Sequence, residues 1–370
     1  MRITAAVAER RGGALRIEEL ELEPPRADEV LVRLASSGIC HADSLARDGD
    51  LPFPLAGVLG HEGAGEIVEL GSAVTTLAVG DRVVLSMPWC GECPACLGGQ
   101  PRYCRWVLDL IAGGGRRDGS TSLRRPGGSP LHSHFFGQSS FATHCVVRAN
   151  QAVRVDPRVD LGLVGHIGCG VATGAGAVLN VLAPPPGSSL VVFGVGTVGL
   201  AAIMAARCTS ATTIVAVDRN PERLRLAVEL GATTAIRAQP GDDLAGRVRE
   251  ACGGPADRTL ECTGSVDVLR AAVDSIGMLG VCGLVGGAPA GAEIRLDHHT
   301  TMIGKRIVGI HGGEGRSPEL IGAILGLHAQ GRMPVERLVT SFPLERAEEA
   351  IRAAERGDVV KAVLAMPGAA

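Results

Sequence analysis

The sequence lacks long apolar runs. None approaches the eighteen or so residues that a membrane-spanning helix needs, although 46% of its 370 residues are hydrophobic. It lacks an excess of charge of one sign: the formal net charge is −3, which gives no footing for nucleic acid or an anionic membrane surface. Residues 1–13 are partly basic, but no apolar stretch of the kind an export signal carries follows them, so the expected location is the cytoplasm. There is no internal repeat and no low-complexity tract. Lysine is nearly missing, with Lys305 and Lys361 alone among 36 basic residues, a bias that says nothing about chemistry. What remains is a chain long enough for two domains with sizeable cores.

Eleven cysteines are present. An odd number without an export signal argues against a disulfide framework. Four of them fall in "WCGECPACLGGQPRYC", where Cys90, Cys93, Cys96 and Cys104 follow the spacing C-x2-C-x2-C-x7-C. Four thiolates on a short lobe close a tetrahedral zinc shell and leave no open position, which makes such a metal structural. An iron–sulfur cluster is the rival reading.

The first 150 residues read mostly as strand and loop. "DEVLVRL" (28–34) alternates like a half-buried strand, "GEIVELG" (65–71), "GDRVVLS" (80–86) and "SSFATHCVV" (139–147) are further β-rich runs, and 111–130 is a Gly/Arg/Ser/Pro loop. Near residue 171 the pattern changes to alternating strands and helices, which implies a parallel sheet covered on both faces. "SLVVFGVGTVGLAAIMAARC" (189–208) is a strand, a glycine turn and a helix, and "TTIVAVD" (212–218) is the next buried strand. "NPERLRLAVELGA" opens a helix with Asn220 as cap, Pro221 in the first turn and Gly231 as the stop.

The turn fits G-x-G-x-x-G with Gly194, Gly196 and Gly199, and Asp218 closes the following strand nineteen residues past Gly199. Gly194 permits the tight turn, Gly196 lets a pyrophosphate approach, and Gly199 lets helix pack on strand. Thr197 and Val198 stand at the helix N-terminus that faces the phosphates. Asp218 accepts from ribose hydroxyls and repels a 2′-phosphate, which favours NAD over NADP, while the adjacent Arg219 is able to serve that phosphate.

"GICHADSLARDG" (38–49), "GHEGAGEIVELG" (60–71) and "GCGVATGAGAVLN" (168–180) each carry one metal-ligating side chain, namely Cys40, His61 and Cys169. Two cysteines and a histidine form the ligand set of a catalytic zinc with an open fourth position. Together with "GDRVV" (80–84), the four-cysteine lobe and "FGVGTVGL" (193–200), these segments resemble the zinc-dependent medium-chain alcohol dehydrogenases over nearly the whole chain. "HFFGQSSFATH" (134–144) and "VDRNPERLRLAVELGAT" (217–233) are similar to the aryl (benzyl) alcohol dehydrogenase branch.

The resemblance implies an α/β architecture: a GroES-like, β-rich catalytic domain formed by residues 1–170 and 312–370, with a metal lobe at about 88–106, and an inserted Rossmann domain at 171–311. It implies two zinc ions per chain, NAD(H), an alcohol or aldehyde substrate of aromatic or bulky type, and a homodimer or homotetramer. It assigns Cys40, His61 and Cys169 as zinc ligands, Glu62 as an alternate ligand, and Asp43 as the acceptor that orients His61. It places His41 and Lys361 at the pyrophosphate and Arg223 at the adenosine ribose. The implied chemistry is hydride transfer between the nicotinamide C4 and a carbon whose oxygen the metal polarises.

Two positions depart from the family pattern. A Ser or Thr usually stands two residues after the first cysteine ligand and starts a proton relay, but here it is Ala42, and Leu45 replaces the relay histidine of the liver-type enzymes. Ser86, at a substrate-pocket position, and His166, three residues before Cys169, are candidate substitutes. The loss also opens a second reading, in which zinc and NAD serve a lyase, cyclase, epimerase or enone-reducing step on a biosynthetic intermediate.

Overall fold

The structure is a computed structural model in which residues 1–368 are described. The chain forms two compact units. The first comprises Met1–Cys169, Arg316–Gly322 and Val335–Ala370; the second comprises Gly170–Gly315 and Ala323–Pro334. The changeover at 169/170 lies one residue before the position expected from sequence. Residues 323–334 pack with the second unit, although everything after 311 was assigned by sequence to the first.

The first unit is built on two sheets. One runs, in spatial order, Ala152–Arg154, Arg82–Leu85, Glu62–Leu70, Glu29–Gly38, Lys361–Ala365 and Val339–Pro343, with His144–Arg148 also paired to Glu29–Gly38. Its central strand reads "EVLVRLASSG". Nine of its ten positions are at least partly buried, so this strand is packed on both faces rather than on one. The other sheet is led by Arg2–Ala8 and Leu15–Leu22. The stretch 111–130, read as loop, does contribute to it: Leu123–Arg124 pairs with Glu21–Leu22 and with Pro130–Leu131. Two-residue strands are too short to show a period of two in sequence. Between the sheets lies an apolar core that includes Leu20, Leu34, Leu59, Ile67, Phe135 and Phe141.

The second unit is a six-stranded, all-parallel sheet in the order Thr234–Arg237, Thr213–Asp218, Ser189–Phe193, Ala256–Glu261, Ile276–Leu284 and Arg306–Gly309. Numbered along the chain this is 3-2-1-4-5-6, the doubly wound order that places a ligand crevice at the carboxyl ends of the central strands. Ser189–Phe193 is wholly buried, as the strand at the switch point must be. It leads into the helix Thr197–Arg207, in which every residue from Gly199 to Ala206 is buried. The Asn220 side chain accepts from the Glu222 and Arg223 amides, and thereby caps Pro221–Leu230 as its sequence announces. Among the described residues, no single helix is long and apolar enough to cross a membrane.

Gly199 sits where helix meets strand: a methyl group there would overlap the Gly194 carbonyl oxygen, whereas one at Gly196 would meet nothing within 4 Å. Gly199→Ala is therefore expected to lower the Tm by several degrees, as overpacking does. Gly196→Ala is expected to leave it unchanged, both read by thermal unfolding followed by circular dichroism.

Candidate active site

The ligand set is assembled at the ends of adjacent strands. In the antiparallel pair Glu29–Gly38/Glu62–Leu70, Gly38 stands opposite Glu62, so the residues flanking that pair, Cys40 and His61, approach each other. Gly38 has a specific reason to be glycine: a side chain there would overlap the Glu62 carboxylate. Cys169 arrives from the turn Gly165–Gly168, whose last glycine packs against the Leu85 carbonyl too closely for any side chain. The ligand atoms of Cys40, His61, Glu62 and Cys169 then lie within 4.8 Å of one another.

Asp43 organises this group. It is fully buried. Its Oδ2 accepts from the Cys40 amide at 2.8 Å, and its Oδ1 accepts from the Gly60 amide at 3.0 Å and faces His61 Nδ1 at 3.1 Å. With Nδ1 held by Asp43, the ring turns Nε2 toward the cysteines. That nitrogen is buried with no hydrogen-bond partner of good geometry among the described residues. Such an orphan is costly unless a Lewis acid takes its lone pair.

The electrostatics agree. A hydrogen bond with Cys169 holds the Cys40 thiol far below its usual value, His61 adds to the fall, and the partner Cys169 is pushed up. Burial opposes charge on His61, but the Asp43 carboxylate and the Cys40 sulfur together outweigh it and raise the imidazole. Burial pushes the Glu62 carboxyl up, with Lys361 opposing. Two sulfurs, one imidazole nitrogen and a carboxylate around a point fit a zinc ion, with Asp43 as the acceptor that metal-bound histidines use.

The lobe forms a second cluster. The four sulfurs of Cys90, Cys93, Cys96 and Cys104 lie within 4.8 Å of one another, with Cys90–Cys96 at 3.8 Å and Cys93–Cys104 at 4.0 Å. Thiolates about 2.3 Å from one ion stand about 3.8 Å apart, so the set fits a tetrahedral metal. The lobe's own apolar cluster is small, centred on the cysteines and Leu110, so a metal would serve as its core.

In the second unit, Gly194 adopts φ +86° and Gly196 caps the helix Thr197–Arg207 without offering a side chain, so the helix N-terminus, where an anion is favoured, carries no capping side chain. Asp218 is fixed by the Val195 amide on Oδ2 and the Asn220 amide on Oδ1, each at 2.8 Å. Its carboxylate retains lone pairs for ribose hydroxyls. Arg219 is exposed, and Arg223 is half-buried in the first turn of the helix Pro221–Leu230. These residues fit a dinucleotide.

Other expected residues are placed differently. His41 is exposed at the start of the helix His41–Asp48. Lys361 does not stand free for a phosphate: it is 3% exposed, its Nζ lies 2.6 Å from Glu62 Oε2, and it donates to the Ile39 carbonyl at 2.7 Å. Ser86 is fully buried and donates its hydroxyl to the Gln151 carbonyl at 3.1 Å. His166 is fully buried, with Nε2 3.3 Å from the Val335 carbonyl. Sequence reasoning did not single out Phe136, whose ring stacks on His61 at 4.2 Å between centroids, or Phe135, which meets the same ring edge-on at 5.5 Å. The only signal was an aromatic pair in a chain with six phenylalanines.

A three-ligand metal centre in a β-rich unit, a four-cysteine lobe and a doubly wound sheet with this turn define a zinc-binding, nicotinamide-linked dehydrogenase. Residues 26–157 match the alcohol dehydrogenase GroES-like domain, and residues 197–325 match the zinc-binding dehydrogenase domain. The chain is 40% identical to the geraniol dehydrogenase of Castellaniella defragrans over 97% of this chain and 96% of that one. Among solved structures it is similar to an alcohol dehydrogenase zinc-binding domain protein from Burkholderia ambifaria (TM-score 0.97, 45% identity, 99% of both chains). It is also similar to the benzyl alcohol dehydrogenase of Acinetobacter calcoaceticus (TM-score 0.95, 38% identity, 99% of both chains). The chain belongs to the zinc-dependent medium-chain alcohol dehydrogenase family, whose members are alcohol–aldehyde oxidoreductases.

Removing the Asp43 acceptor is expected to weaken the hold on the Cys40/His61/Cys169 metal roughly 10- to 100-fold. Competition of Asp43→Asn and wild-type protein against a chromogenic chelator measures it.

Proposed function

We propose that this chain interconverts a primary alcohol bearing an aromatic or bulky apolar group and its aldehyde, using NAD(H) and two zinc ions, one catalytic and one structural. The observation that carries the proposal is the convergence of Cys40, His61 and Cys169 on one point beside Glu62. The substrate class is supported by the Phe136 ring against His61 and by relatives named for geraniol and benzyl alcohol. NAD(H) is favoured by the fixed Asp218 carboxylate, which would repel a 2′-phosphate.

Cys40, His61 and Cys169 would hold the catalytic zinc, whose Lewis acidity acts on a substrate oxygen, while the dinucleotide carries the hydride. Asp43 keeps the His61 ring turned so that Nε2 faces that site. Phe136 covers one face of the ring, and Phe135 meets it edge-on. Glu62 and Lys361 keep a buried carboxylate close by. The proton leaving an alcohol finds no hydroxyl at Ala42. Ser86 and His166, directed to backbone carbonyls, are poor substitutes, so the proton passes to water.

A second copy of the chain is the expected partner. Among the described residues, the edge strand Arg306–Gly309 has no neighbour on its outer side, and Met278, Leu279, Met302 and Ile303 are exposed. Such an edge is a ready template for strand pairing.

The test is nicotinamide absorbance with zinc-loaded protein and a panel of primary alcohols and aldehydes. Aryl and allylic substrates are expected to turn over, with oxidation slow near neutral pH and faster as pH rises. Ala42→Thr is expected to raise the oxidation rate by up to about 10- to 100-fold, the lower part of what a positioned proton-transfer group contributes. Fast wild-type oxidation insensitive to pH would refute the lost relay; failure of every alcohol and aldehyde would refute the assigned reaction. In the same assay, Asp218→Gly is expected to narrow or invert the preference for NAD(H), measured as the ratio of kcat/KM values for the two dinucleotides.

A further inference from the structure

Apart from the Cys40/His61/Cys169 cluster, and beside the four-cysteine lobe, whose Cys90 carbonyl accepts from Arg148 at 3.3 Å, the β-rich unit holds a cavity of about 270 Å³. Cys40, His61, Glu62 and Cys169 do not line it. Its wall carries four guanidinium groups, those of Arg26, Arg116, Arg117 and Arg148, and the imidazole of His134.

The acids in the same wall are already engaged. Glu29 accepts from Arg116 Nε and Nη2 at 2.6 and 3.0 Å and from the Arg26 amide at 2.9 Å. Asp118 accepts from Arg26 Nη1 at 2.7 Å and from the Ser120 amide and hydroxyl. Asp28 accepts from Arg148 Nε at 3.0 Å. Arg117 takes its carboxylate partner, Glu92, from outside the wall. Arg116 Nη1 also reaches Glu23 at 3.5 Å, so every guanidinium has a carboxylate partner. Each offers five donors in a planar fork, and the N–H groups beyond those pairings are what the wall has to spare.

His134 adds a neutral donor or acceptor. It is 7% exposed, and its Nε2 is buried without a hydrogen-bond partner among the described residues. Burial, helped by Arg116, pushes the imidazole down to about 4, so it stays uncharged at neutral pH. A buried polar nitrogen beside a cavity rich in cationic forks calls for a ligand oxygen.

We propose that this cavity is a second ligand site that binds a small oxyanion, a phosphate or a carboxylate group, through Arg116, Arg117 and Arg148 and the Nε2 of His134.

The chain's two tryptophans report on this wall. The Trp89 carbonyl accepts from Arg148 Nη1 at 3.4 Å, and the Arg117 guanidinium lies 4.8 Å from the Trp106 ring centroid. The experiment titrates zinc-loaded protein, saturated with NAD⁺ so that the glycine turn is occupied, with inorganic phosphate or malonate and follows tryptophan emission. The expected result is a saturable change in the millimolar range that sodium chloride at equal ionic strength does not produce. His134→Asn, which tolerates the left-handed backbone at this position (φ 58°), is expected to weaken binding at least fivefold. If that variant fails to fold, Arg117→Gln, read by the phosphate-dependent rise in Tm, is expected to lose most of that rise. Saturation by phosphate alone or malonate alone assigns the group bound. Saturation by neither, or equal affinity in wild type and variant, overturns the proposal.

Discussion

The metal-ligand cluster depends on one buried carboxylate. Asp43 receives two backbone amides and one imidazole nitrogen, from residues 40, 60 and 61, and each contact sets a different part of the geometry. The Cys40 amide fixes the start of a short helix, so the thiol projects from its N-terminal end. The Gly60 amide ties the approach to the next strand. The His61 contact selects the tautomer and aims Nε2 at the sulfurs. Without Asp43, two chain segments twenty residues apart would lose their common anchor, and the imidazole would have no preferred orientation.

Close backbone packing does the rest. Gly38 and Gly168 stand where neighbouring groups leave no room for a β-carbon, one beside the Glu62 carboxylate and the other against the Leu85 carbonyl. These contacts bring Cys169 to side chains more than a hundred residues earlier in the chain. The buried Glu62–Lys361 pair adds a further tie, because Lys361 also donates to Ile39, the residue before Cys40. A buried pair of this kind is weak evidence for stability, but removing one partner would strand the other charge in the interior.

Much of this was legible in the sequence because the relevant signals are local. The cysteine spacing of the lobe, the glycine turn before an apolar helix and the Asn220–Pro221 helix start each need only a few consecutive residues. The ends of the parallel strands were legible for the same reason. Long-range partnerships were not. Lys361 meets Glu62 across some three hundred residues, and nothing near either one announces the pairing. The basic residue was therefore read as a phosphate contact. Ser86 and His166 are candidates for a proton relay on position alone, and position does not disclose that Ser86 donates to the Gln151 carbonyl or that His166 Nε2 lies 3.3 Å from the Val335 carbonyl. Phe136 reaches His61 through a left-handed turn at His134 and Phe136 that no periodicity encodes. The split of residues 316–334 between the units was likewise hidden, because one continuous helix, Ser317–Ala329, contributes to both.

The central claim is that the chain holds two metals of unequal role, one closed in the lobe and one at the three-ligand centre. Elemental analysis of purified wild type, Cys169→Ser and Cys93→Ser tests it most directly. The account predicts two zinc ions in the wild type, one in folded Cys169→Ser, and a destabilised lobe in Cys93→Ser, since a structural zinc contributes folding energy itself. A single zinc in the wild type, or iron in the lobe, would contradict it.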